Sequence, residues 1–138
     1  MSALDALLNP AYSEVKKTIT LGDRLIDPET GEPAKFVLRS LTQDEKSAIR
    51  KRSIVTKELD GTKYNEVDND LFLARCLVEC IVEPDLKNAK LGERYGSVAP
   101  DVVLKKMFLA PEYDKLAKAF MDLNVGDGEA DGGEVTKK

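Results

Sequence analysis

Two periods of apolar residues divide this chain into helices and strands. Leu4, Leu7 and Leu8 share one side of a short helical pattern over 2–8, which Asn9-Pro10 ends. From Val15 the pattern switches to alternation through 15–21, the mark of a half-buried strand. A second alternating run covers 35–41, with Phe36, Leu38 and Ser40 on one side and Val37 and Arg39 on the other. Between the two runs, Asp27-Pro28-Glu29-Thr30-Gly31-Glu32-Pro33 is dense in turn residues, so the pair reads as a β-hairpin with a long loop. A lone hairpin is unstable in water, so this one must pack on helices.

The remaining pattern is mostly helical. Thr42-Gln43-Asp44-Glu45 forms a capping box that starts a helix through about Arg52, with Ala48 and Ile49 as its narrow apolar stripe. The polar stretch 56–67 has Asp60-Gly61 at its middle and reads as a second small hairpin or an excursion loop. Asp68 or Asn69 caps a central helix running to about Val82. Leu73, Cys76, Leu77, Cys80 and Ile81 fall on one of its faces, while Leu71, Phe72, Ala74 and Val78 widen the apolar area. A helix this apolar should be the most buried, and Pro84 ends it.

A short helix ends at Tyr95-Gly96, and a Pro-started helix covers 102–108. The last helix begins at Pro111-Glu112 and stops near Asn124-Val125-Gly126. Tyr113, Leu116, Ala117, Phe120 and Leu123 lie on one of its sides, and Lys115, Lys118 and Asp122 face away. Beyond it, GDGEADGGEVTKK is too polar and Gly-rich to order itself. The fold class expected is therefore mainly α with a small β-hairpin element (α+β). A single compact domain covers 1–126, and 127–138 forms a disordered acidic Gly-rich tail.

Composition narrows the function classes. A chain of 138 residues with 42% hydrophobic content fits one domain with one modest core. A net charge of −4 argues against nucleic acid as a partner. The basic run Arg50-Lys51-Arg52 sits at a predicted helix end, where it complements the helix dipole. No apolar run approaches the length of a membrane span, and the first ten residues lack the basic and apolar regions of a secretory signal. The expected location is cytoplasmic, with Cys76 and Cys80 as reduced thiols.

Candidate chemistry is sparse. Histidine is absent, which removes the commonest general base and a main metal ligand. Cys76 and Cys80 have no third Cys or His beside them and read as small core residues. Asp127, Glu129 and Asp131 imitate the front of an EF-hand loop, but Lys138 stands where the bidentate Glu belongs. Gly92 and Gly96 lack the Lys-Ser/Thr of a phosphate loop and read as helix termination. The acid pairs Glu83/Asp85 and Asp44/Glu45 sit at helix boundaries, where capping explains them. No catalytic residue, metal site or cofactor is expected. Phe108, Leu109, Tyr113 and Phe120 gather around the last helix junction, either as core or as an exposed apolar groove.

The order of punctuation from Cys76 to Gly126 resembles the XkdN-like tail assembly chaperones of tailed bacteriophages. Glu83-Pro84-Asp85-Leu86-Lys87 is similar to the family's helix-ending segment, Tyr95-Gly96 to its Tyr-Gly, and Pro100 to Leu109 to its Pro-x-x-x-Leu-x-Lys-x-x-Leu segment. Glu112, Leu116 and Leu123 resemble its acidic helix start with spaced Leu, although Pro111 stands where the family commonly has Gly.

The resemblance implies a non-enzymatic role in phage or prophage tail building, in the cytoplasm of the bacterial host. It implies binding of the tape-measure protein, recruitment of tail-tube protein through a longer frameshifted form, self-association, and absence from the mature virion. Lys137-Lys138 is compatible with a slippery codon pair. Leu104, Phe108, Tyr113, Leu116 and Phe120 are the residues expected to form the groove or oligomer surface. The alternative is a structural tail or head–tail connector subunit retained in the virion.

Overall fold

The computed structural model describes residues 2–125 and, as backbone, 134–137. Six helices and six strands follow one another among them: α1 (Ala3–Leu8), β1 (Val15–Thr20), β2 (Lys35–Arg39), α2 (Gln43–Lys51), β3 (Ile54–Leu59), β4 (Thr62–Val67), α3 (Asn69–Cys80), β5 (Ile81–Glu83), α4 (Ala89–Tyr95), α5 (Pro100–Met107), α6 (Ala110–Asn124) and β6 (Glu134–Lys137). The α+β class expected from the sequence holds. The N-terminal hairpin is the centre of a larger antiparallel sheet with strand order β5-β2-β1-β6.

Two flanking strands were not legible locally. The central helix stops at Cys80 rather than Val82, because Ile81–Glu83 leaves the helix and pairs with β2, Leu38 opposite Ile81 and Val37 opposite Glu83. β-branched Ile and Val suit a pleated strand, and the pairing satisfies backbone groups that a fraying helix end would leave open. Of the expected tail, 127–133 and Lys138 lie outside the described residues. Glu134–Lys137 runs antiparallel along the outer edge of β1, from Thr18 opposite Glu134 to Val15 opposite Lys137.

Local signals at element ends act as expected. Thr42 accepts from the Glu45 backbone N–H, and Glu45 accepts in return from the Thr42 N–H at 2.9 Å. Asp60 and Gly61 both take positive φ, 52° and 80°, as a tight hairpin turn between β3 and β4 requires. Asp68 caps α3 by accepting from the Leu71 N–H at 3.1 Å. Gly96, at φ 75°, ends α4 in the left-handed conformation that side-chain-bearing residues avoid.

The core lies between the inner face of the sheet and helices α3, α5 and α6. Leu38, Ala74, Cys76, Leu77, Cys80, Leu104 and Leu116 have no exposed surface. Phe36 and Phe108 meet edge to face, with ring centres 5.7 Å apart. α3 is buried almost all round: Ala74 and Val78, expected on its flanks, are buried with Cys76, Leu77 and Cys80, while Leu73 is half-buried.

Candidate partner-binding surface

The five residues expected at a groove divide by depth. Leu104 and Leu116 are fully buried, Phe120 and Phe108 nearly so, and Tyr113 is half-buried. Phe108 and Tyr113 come together with Asp70, Lys105, Ala110 and Asp114 around a shallow depression of about 360 Å³ at the α5–α6 corner. Leu109, at the N-cap of α6, stands 55% exposed in the same corner. Leu104, Leu116 and Phe120 supply the packed layer behind it.

An ion pair fixes this corner to the loop between β1 and β2. Arg24, in the loop between β1 and β2, donates from Nε and Nη2 to the Glu112 carboxylate at 2.8 and 2.5 Å, and from Nη2 to the Met107 carbonyl at 2.9 Å. Glu112 also accepts from the Leu109 N–H at 2.8 Å. The sequence suggests only a helix-start acid there; the structure makes it the staple of the loop. The Arg24 guanidinium holds the Glu112 carboxyl below its ordinary range.

At the other end of α6, Lys17 is buried and its ammonium donates to Asp122 at 2.7 Å. Asp122 therefore turns toward the sheet instead of facing away, and the Lys17 hydrogen bond lowers its pKa. A Lys at an inward strand position is tolerable only with such a partner.

α4 marks the second surface. None of its residues is buried, although it carries Leu91 and Tyr95. On one side lies a depression of about 370 Å³ lined chiefly by Leu25, Phe36, Leu86, Leu91, Met107 and Phe108. On the other lies a groove of about 800 Å³ lined by Leu86, Ala89, Gly92, Val98, Pro100 and Val103 among others. Gly92 is required here, since a Cβ would stand 2.6 Å from the Ser97 carbonyl oxygen. These grooves escaped the sequence reading, because half-exposed apolar residues at helical spacing look the same as core.

The thiols stay inert. Burial pushes Cys76 up to about 11 and Cys80 up to about 12, and the Cys80 thiol donates to the Arg39 carbonyl at 3.0 Å. Both are core residues. Among the described residues no group of three or more His, Cys, Asp and Glu is placed to hold a metal ion, and no helix is long and apolar enough to cross a membrane. The acidic run from Asp127 lies outside the described residues.

Comparison with known proteins identifies the family. The family described as phage XkdN-like tail assembly chaperone protein matches residues 4–134. The uncharacterized protein YqbN of Bacillus subtilis (strain 168) is 25% identical over 122 residues, covering 87% of this chain and 81% of YqbN. The phage-like element PBSX protein XkdN of the same organism is 23% identical over 108 residues, 77% of this chain and 72% of XkdN. A crystal structure of the protein YqbN shares the fold, with a TM-score of 0.73 at 22% identity over 92% of this chain and 99% of that one.

Proposed function

Because this chain belongs to the phage XkdN-like tail assembly chaperone family, we propose that it binds the tape-measure protein during tail morphogenesis and keeps it soluble until the tail tube forms around it. The family's role is assembly rather than catalysis. The observation that carries the finer reading is the α5–α6 corner, where Phe108, Ala110 and Tyr113 line the apolar part of an open depression beside exposed Leu109. An amphipathic helix laid against such a corner buries its apolar stripe. Lys105, Asp70 and Asp114 rim the site and suit a partner with mixed charges flanking that stripe.

One corner holds a partner weakly. Many copies along one long partner hold it strongly, since each bound copy raises the effective concentration of the next contact. In this reading the protein works as a multi-copy coat in the host cytoplasm, a longer frameshifted product recruits tail-tube protein, and neither remains in the virion.

Co-expression with the tape-measure protein tests the reading. A partner that is insoluble alone and co-purifies in soluble form with this chain is the expected result. No complex, together with detection of this chain in purified mature particles by mass spectrometry, would overturn it in favour of a structural tail or connector subunit.

A further inference from the structure

We infer that the outer edge of β1 is a strand-docking site whose occupant is the chain's own segment Glu134–Lys137, seated within the same molecule as a removable guard. This goes beyond the tape-measure reading and stands without it. The ladder itself defines the edge. The Val15 carbonyl accepts from the Ser40 N–H at 2.7 Å, so the backbone groups of Val15 point toward β2. Those groups alternate in direction along a strand, so Lys17 and Ile19, opposite Leu38 and Phe36, point to β2 as well. Lys16 and Thr18 point their N–H and C=O to the other side, where β6 lies. Lys16 stands opposite Thr136 and Thr18 opposite Glu134, which makes these the pairs that exchange main-chain hydrogen bonds. With β6 gone, they would form an open strand edge, a template for any other extended chain.

The sheet protects its two edges differently. At the far edge, β5 is three residues long and runs directly into Pro84, which has no N–H to offer a further strand. β1 is six residues long, contains no Pro, and is rich in the β-branched Val15, Thr18, Ile19 and Thr20. An edge of that kind needs a cover, and the cover it has is slight. β6 is four residues long, pairs with β1 alone, and leaves Ile19 and Thr20 beyond its end. Val135 and Thr136 favour the strand state, but Val135 is the segment's one apolar residue.

Reach argues for a guard from the same molecule. Asn124, the last residue of α6, accepts from the Leu41 N–H, next to the Ser40–Val15 pair. α6 therefore ends beside the start of β1. Glu134 lies opposite Thr18, about 10 Å farther along the strand. The connecting residues 126–133 can span up to about 27 Å, so the segment reaches its place with slack. A tether of this length presents its strand at an effective concentration of roughly millimolar. The guard thus closes the edge, yet gives way to an extended peptide that lays its main chain more tightly on β1.

Amide hydrogen exchange of the full chain, read residue by residue by NMR, tests this. The Lys16 and Thr18 amides should exchange about tenfold or more slower than those of an open strand, equally at micromolar and millimolar protein. The full-length variant Glu134→Pro, Thr136→Pro removes the N–H donors of both hydrogen-bonded β6 residues. It should lose that protection while the Lys17 and Ile19 amides and the thermal midpoint stay native. A synthetic peptide of residues 132–138, added to this variant at millimolar concentration, should restore protection at Lys16 and Thr18. Protection that persists in the variant, or that the peptide fails to restore, would overturn the docking site. Protection that grows with protein concentration would overturn the guard within one molecule, because another copy would then be supplying the strand.

Discussion

α1 and α6 both present leucines at helical spacing, and they meet opposite fates. In α6, Leu116 is fully buried and Phe120 3% exposed, against the sheet and α3. In α1, the least exposed leucine is still 62% accessible. The difference is not in the helices but in what reaches them. α6 is tied at both ends, to the loop between β1 and β2 through Glu112 and Arg24 and to β1 through Asp122 and Lys17. α1 has Asn9-Pro10 behind it and no buried position. The same residue type is core in one place and exposed surface in the other.

The comparison breaks first at α6. Leu116→Ala should cost about 2–5 kcal/mol of stability, seen in denaturant unfolding, because the cavity has no solvent to fill it. A loss below about 1 kcal/mol would mean that α6 is not packed as described.

The ion pairs that tie helices to strands should show in the pH dependence. Arg39 donates to Glu45 at 3.1 and 2.8 Å and, with the Thr42 N–H, holds the Glu45 carboxyl down to about 2. Arg24 and Lys17 likewise lower Glu112 and Asp122. A lowered folded-state pKa means that the unfolded chain binds the proton first, so the stabilisation is full above about 4.5 and fades toward about 2. Stability should fall with acid across that window, and Glu45→Gln should flatten the slope.

A smaller effect is expected where α4 ends. Gly96→Ala should cost about 1 kcal/mol, the penalty of placing a Cβ at φ 75°. The smallest belongs to α1: Leu7→Ser should change stability by no more than about 0.5 kcal/mol. If it destabilised the chain as Leu116→Ala does, α1 would be part of the core and the contrast would fail.

Much of the fold was legible because its ends are chemically marked. The Thr42–Glu45 box, Asp60-Gly61, the Asp68 cap and Gly96 each place a boundary through one hydrogen bond or one dihedral angle. What stayed hidden depends on partners distant in sequence. β5 is three residues whose strand state comes from Leu38 and Val37, more than forty positions earlier. Lys17 lies buried because Asp122 waits across the core. The candidate site was legible only in part: the helix junction marked Phe108 and Tyr113 as neighbours, yet periodicity set Tyr113 on one face with Leu116 and Phe120 and could not tell that these two and Leu104 form the layer beneath.

The most direct measurement is co-expression of the tape-measure protein with the native chain and, in parallel, with Leu109→Asp. Leu109 is exposed at the N-cap of α6, where Asp is a favoured residue, so the variant should fold normally. The account predicts a soluble complex with the native chain and an insoluble, unbound partner with the variant. Equal recovery of soluble partner with both chains would contradict the assignment of this corner, and no recovery with either would contradict the chaperone reading itself.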